Sequence, residues 1–279
     1  MALNERTFAF IGAGHITSII LSNLANAGKV HALRLVASDP NRLKLQQLHD
    51  DYGIVMAKDN LEAVAKGDFI FINVRPQVVA DVIEELVREQ LPKNKLIVTL
   101  AAGIPMNAYE RLGDKLPVVR ALPNPPSQIG MGIAALAFNP YVTDEQKGDI
   151  FEFFASLGKH VVLGEESINA VTALSSPAST YLFFESLIEA GVSTGIDRDM
   201  STNIVYQTIV GAMEVWNKRQ VSPKELLREA STPGGISVES VSTLEQHAFK
   251  AALIEAIGNA ALKAEKLGDE LGGQSQEQS

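Results

Sequence analysis

Phe8-Ala9-Phe10-Ile11-Gly12-Ala13-Gly14-His15-Ile16-Thr17 decides how the chain is read. The run Thr7-Phe8-Ala9-Phe10-Ile11 carries no charge and is apolar beyond its first residue, as a strand buried on both faces should be. Two glycines follow at once, and an apolar helical pattern over 19–27 comes next. A side chain at Gly12 would obstruct so tight a turn, and one at Gly14 would hold a ligand away from the backbone. Free N–H groups and the helix dipole then favour a diphosphate at the helix N-terminus, beside Gly12, Gly14, His15 and Ile16. A Gly-x-Gly pair alone is a weak signal; between a strand and a helix it points to a dinucleotide. Thr17 stands where the fingerprint carries Gly or Ala, and its β-branched side chain is expected to space the helix away from the strand. His15 is either a phosphate contact or a loop histidine with no task.

Working outward, Leu33-Arg34-Leu35-Val36-Ala37 reads as the second strand and ends at Ser38-Asp39-Pro40-Asn41-Arg42. Asp39 could accept from the ribose 2′-hydroxyl of NAD, whereas Ser38 and Arg42 could hold the 2′-phosphate of NADP. Asp39-Pro40 also suits the start of a helix. These readings stay open here. Phe69-Ile70-Phe71-Ile72-Asn73-Val74, Leu96-Ile97-Val98-Thr99-Leu100 and Val118-Val119-Arg120-Ala121-Leu122 supply three more strands. An amphipathic helix over 76–89 lies between two of them. The expectation is an α/β protein whose N-terminal Rossmann domain, residues 1–164, has a doubly wound parallel sheet covered on both faces.

Past Gly164 the pattern changes to long helices over 167–174, 181–195, 200–219 and 248–267. Several are apolar on more than one side, which predicts burial against a second chain. Residues 165–267 are therefore expected to be an all-helical dimerisation domain, and the polar residues 268–279 a disordered tail. The 279 residues carry a net charge of −9 and no basic run, which argues against nucleic acid. There is no Cys, so thiol chemistry and disulfides are excluded. His31, His49, His160 and His247 lack ligand spacing, so no metal is expected. The first residues are unlike a secretory signal and charges interrupt every apolar run before membrane length, which makes the cytoplasm the expected compartment. Trp216 and the aromatic run Phe151, Phe153 and Phe154 read as core or interface.

Six segments together resemble the pyrroline-5-carboxylate reductase family: Phe10-Ile11-Gly12-Ala13-Gly14, Val74-Arg75-Pro76-Gln77, Ala101-Ala102-Gly103-Ile104, Arg120-Ala121-Leu122-Pro123-Asn124-Pro125-Pro126, Ala170-Val171-Thr172-Ala173-Leu174-Ser175, and Ser231-Thr232-Pro233-Gly234-Gly235-Ile236-Ser237. The resemblance spans residues 7–267. It implies hydride transfer from NADPH or NADH, with NADP favoured, to a cyclic imine acid, giving proline. It also implies a homodimer through the helical domain, or a higher oligomer. Under it Val74, Arg75, Pro76, Ala101, Ala102, Gly103 and Asn124 join the cofactor site. Thr232, Gly234, Gly235 and Ile236 hold the substrate carboxylate, and Ser237 is the hydroxyl at the imine nitrogen. Backbone N–H groups at Gly234, Gly235 and Ile236 suit an anion on physical grounds as well.

Ser176-Pro177-Ala178-Ser179-Thr180-Tyr181 stands where that family carries Gly-Ser-Gly-Pro-Ala-Tyr, which predicts a pocket of altered shape. Two alternatives follow: reduction of a different cyclic imine, or a dinucleotide-binding sensor or partner protein. A 3-hydroxyacid dehydrogenase is disfavoured, because it needs a Lys after the domain junction and none occurs over 167–195.

Overall fold

The computed structural model describes residues 3–88, 91 and 94–273. Its first part alternates β1 (Phe8–Ile11), α1 (His15–Ala27), β2 (Leu35–Ser38), α2 (Arg42–Tyr52), β3 (Val55–Met56), α3 (Asn60–Lys66), β4 (Phe69–Ile72), α4 (Pro76–Val87) and β5 (Leu96–Thr99). Then come β6 (Val118–Pro123), β7 (Gly132–Phe138), α5 (Asp144–Ala155), β8 (Gly158–Val162) and α6 (Ile168–Ser175). One eight-stranded sheet results, in the order β3-β2-β1-β4-β5-β6-β7-β8. The chain reverses direction across the sheet between β3 and β4, leaving a crevice at the carboxyl ends of β1 and β4.

The apolar strands explain the layers. Phe8, Phe10, Phe69 and Phe71 point to one face, where Leu24 of α1, Leu45 of α2 and Phe153 of α5 cover them. Ala9, Ile11, Ile70 and Ile72 point to the other, against Val64 of α3 and Val82 and Leu86 of α4. Phe71 stacks on Phe153 at 4.6 Å between ring centroids, and Phe8 meets Phe69 edge-on at 5.4 Å. Each fully buried phenyl contributes about 1.5–3 kcal/mol. Phe153 and Phe154 are therefore core, as their spacing suggested.

The sheet is not wholly parallel. β7 runs antiparallel to β6, pairing Val119 with Phe138 and Pro123 with Ala134. The cause is a tight 3-10 turn, Pro125–Ile129, closed by Gly130 at φ +69, which sends the chain straight back. β8 then pairs parallel to β7.

The second part is helical: α7 (Ala178–Ser193), α8 (Arg198–Arg219), α9 (Pro223–Ala230), α10 (Ile236–Gln246) and α11 (Phe249–Gly273). Compact packing divides the chain after Ser175, since α6 packs on β7 through Ile168, which has no exposure. One unit takes Met1–Ser175 and the chain from Asn259 onward; the other is Ser176–Gly258. α11 carries helix through Gly273, so the first six residues of the expected loose tail, 268–273, are helical. Residues 274–279 lie outside the described residues.

Within the helical unit, Ser201 is the one buried residue of α7–α10. Tyr181, Leu182, Ile204, Tyr206 and Ile254 are all at least half exposed. Trp216, the chain's single tryptophan, is 43% exposed on α8.

Candidate active site

The glycine turn joins β1 to α1. Gly12 has φ +105, and a Cβ there would lie 2.9 Å from the backbone oxygen of Asn73. Glycine at this position is required by the fold itself. Gly14 differs: its φ is −82, open to any residue, and a Cβ would meet no protein atom within 4 Å. It lines a cavity of about 920 Å³ at the carboxyl ends of β1, β2 and β4. α1 has no side-chain cap, and its first helical bond runs from Ser18 N to Gly14 O. The N–H groups of its first turn thus have no side-chain acceptor. His15 is exposed beside them and Ile16 is half-buried.

Thr17 is fully buried, and its presence does not loosen the turn. Its hydroxyl donates to Gly12 O at 2.6 Å and accepts from Asn73 Nδ2 at 3.1 Å. The expected packing defect is instead a hydrogen-bonded link from helix to strand.

The rim near β2 departs from the simplest expectation for each residue. Asp39 accepts from Ala13 N through Oδ2 (2.8 Å) and from Asn41 N through Oδ1 (2.7 Å). It braces the glycine turn, and the cap of α2 is Asn41, whose side chain accepts from Leu43 N and Lys44 N. Ser38 is buried and donates to Asn60 Oδ1, while Asn60 Nδ2 donates to Glu85. Arg42 spends its guanidinium on the carbonyls of Ala57 and Lys58. Lys44, Lys58 and Asn60 line the cavity although nothing in their spacing marked them. The signal that could have found Asn60 is Asp59 with Glu62 three residues on, since Asp59 caps α3 and so places Asn60 at its start.

Val74 and Arg75 also line the cavity, and Pro76 begins α4. The loop after β5 holds Ala101, Ala102 and Gly103, with Gly103 at φ +82. Behind it, Arg120 is 3% exposed; its guanidinium reaches Glu165 at 3.5 Å and Asn169 at 3.0 Å. Glu165 also accepts from Met106 N at 2.6 Å, so it ties that loop to β6. Burial pulls the Arg120 pKa down, opposed by the neighbouring Glu165 carboxylate. Asn124 uses both ends of its amide within the fold, donating to Ser175 O and accepting from Ile133 N. Among the described residues, no group of three or more histidines and carboxylates could hold a metal ion.

In the helical unit, Thr232 O accepts from Gly235 N at 2.9 Å, with Gly234 at φ +77. Proline second and a left-handed glycine third make this a type II turn. It delivers Gly235 to the start of α10, which has no side-chain cap. Ile236 and Ser237 open that helix, both exposed. Over 176–181 no residue has positive φ, and Pro177 is the αR cap of α7. Loss of the two glycines there changes occupied volume without straining the backbone.

A glycine turn on an uncapped helix, at the switch point of a doubly wound sheet, defines a dinucleotide-binding oxidoreductase of the Rossmann type. Residues 7–103 match the family described as NADP oxidoreductase, coenzyme F420-dependent, and residues 165–267 that described as pyrroline-5-carboxylate reductase dimerisation. The chain is 32% identical to the pyrroline-5-carboxylate reductase of Escherichia coli, over 94% of this chain and 98% of that one. It is 31% identical to that of Pseudomonas aeruginosa, over 95% and 97%. A solved pyrroline-5-carboxylate reductase from Coxiella burnetii superposes with a TM-score of 0.87 at 27% identity, covering 95% of this chain and 99% of that chain. A pyrroline carboxylate reductase from Plasmodium falciparum, solved with NADP bound, gives 0.84 at 27%, with the same coverage. The chain belongs to the pyrroline-5-carboxylate reductase family. Among the described residues, no helix is long and apolar enough to cross a membrane.

Proposed function

We propose that the chain reduces 1-pyrroline-5-carboxylate to proline with NADPH, as a cytoplasmic homodimer assembled through its helical domain. The observation that carries this reading is Gly14: the fold leaves its Cβ position empty, so the glycine serves whatever fills the cavity. The cavity residues fit a dinucleotide. Gly12, Gly14, His15 and Ile16 surround the diphosphate, with Val74, Arg75 and Pro76 alongside and the 101–103 loop and Asn124 nearer the nicotinamide. Ser38 and Arg42 reach a 2′-phosphate only by giving up their present partners. Lys44 offers charge in the same cavity, and so does Lys58, which stands 3.8 Å from Asp59.

When bound, the reduced nicotinamide supplies the hydride for the imine carbon. The remaining work belongs to the chain. N–H groups of Gly234 and Ile236, with the Thr232 hydroxyl, hold the substrate carboxylate at the start of α10, while Gly235 N–H, expected to join them, closes the turn on Thr232 O. The Ser237 hydroxyl hydrogen-bonds the imine nitrogen and orients it. A cyclic imine is basic enough to be partly protonated near neutral pH, so positioning contributes more than proton donation. The exposed apolar faces of α7, α8 and α11 support assembly with a second copy.

The test is consumption of NADPH, and separately of NADH, with racemic pyrroline-5-carboxylate at neutral pH. Turnover to proline supports the reading. Clear dinucleotide binding without turnover would remove it, and turnover of only a six-membered or 2-carboxylate imine would move the substrate.

A further inference from the structure

We infer that Thr17 and Asn73 act as a positioning pair, a buried hydrogen-bonded strut that sets the glycine turn for the dinucleotide; this rests on the binding role proposed for that turn. The usual small residue at the third fingerprint position lets helix and strand pack closely. Here both partners are polar and buried: Thr17 has no exposure and Asn73 has 8%.

The direction of every bond is fixed by chemistry. Gly12 O can only accept, so the single hydroxyl proton of Thr17 goes to it, at 2.6 Å. A lone pair is then left for Asn73 Nδ2 at 3.1 Å, which orients the amide. Asn73 Oδ1 is turned away and has no partner. Nothing within the fold repays that buried acceptor, so the amide is held for the sake of its N–H. Asn73 also grips the turn with its backbone. Its N–H donates to Ile11 O at 2.9 Å, and its carbonyl oxygen is the atom a Gly12 Cβ would strike. Gly12 N donates to Ser38 O and Ala13 N to Asp39. Both peptide units flanking Gly12 are therefore tied, which fixes the planes leading into α1. Without the strut, the carbonyl of Gly12 is free to tilt toward the anion, and the first-turn N–H groups tilt away.

The test uses the whole chain and four variants: Thr17→Val, Thr17→Ser, Asn73→Ala and Thr17→Val with Asn73→Ala. Readouts are the NADPH dissociation constant, the KM and kcat for NADPH, and the thermal midpoint. Thr17→Val and Asn73→Ala should each weaken NADPH binding about tenfold, the size of one lost hydrogen bond, with kcat within about twofold of the unmodified protein. Thr17→Ser keeps the hydroxyl and should bind as the unmodified protein does. The double variant should be no weaker than either single, because the two side chains work through one link. A lower thermal midpoint with unchanged NADPH affinity in Asn73→Ala and Thr17→Val alike would overturn the inference, as would additive losses in the double variant. If the unmodified protein binds no dinucleotide at all, it is the binding role of the turn that fails.

Discussion

Gly12 and Gly14 are separated by one residue and answer to different demands, which gives them different signatures on substitution. Gly12→Ala places a methyl group 2.9 Å from Asn73 O on a backbone at φ +105. It should lower stability by about 1–3 kcal/mol, measured by urea unfolding. The Cβ of Gly14→Val meets no protein atom within 4 Å, so this variant should lose less stability than Gly12→Ala. It should nonetheless weaken NADPH binding at least about a hundredfold, read by thermal shift or calorimetry. Unchanged affinity in that variant would contradict the placement of the cofactor. Ser237→Ala should cut kcat about 10- to 100-fold with NADPH affinity preserved; an unaltered rate would remove its role at the imine nitrogen. The two glycines were legible because strand, turn and helix follow one another within a few residues. Thr17 was not. Its partner Asn73 lies 56 residues away, and a sequence does not say which hydroxyl meets which amide.

At the scale of elements, the parallel strands β1, β2, β4, β5 and β6 could be read directly, since strands buried on both faces are apolar throughout. β3 spans only Val55–Met56 and leaves no period to detect. β7 is Gly-Ile-Ala-Ala-Leu-Ala-Phe, whose alanines suit a helix as well as a strand. β8 sits at the sheet edge and mixes Lys159 and His160 with Val161 and Val162, which hides it. The clamp of Glu165 on Arg120 and on Met106 N was equally invisible, joining positions 45 and 59 residues apart. Glu165→Ala leaves a buried guanidinium with one fewer acceptor and frees the loop beyond β5. It should cost about 1–3 kcal/mol of stability, with Glu165→Gln, which keeps an acceptor for Met106 N, costing less; equal unfolding curves for all three proteins would refute the clamp.

For the whole molecule, the helical unit cannot satisfy itself. α7–α10 bury one residue between them, and Leu182 and Ile254 stand 70% and 65% exposed. A patch of this kind is stable in water when a partner covers it. Sedimentation should find a dimer or a larger assembly at micromolar concentration. Leu182→Asp should shift it toward monomer and lower imine reduction, while the glycine turn, in the other unit, keeps its NADPH affinity. A monomeric unmodified protein with full activity would refute the assembly. The half-exposed indole of Trp216 has a practical consequence. It is the only indole in the chain and belongs to the helices, so a second copy seated over it would make its emission colour an intrinsic gauge of association, to be read as a red shift on dilution.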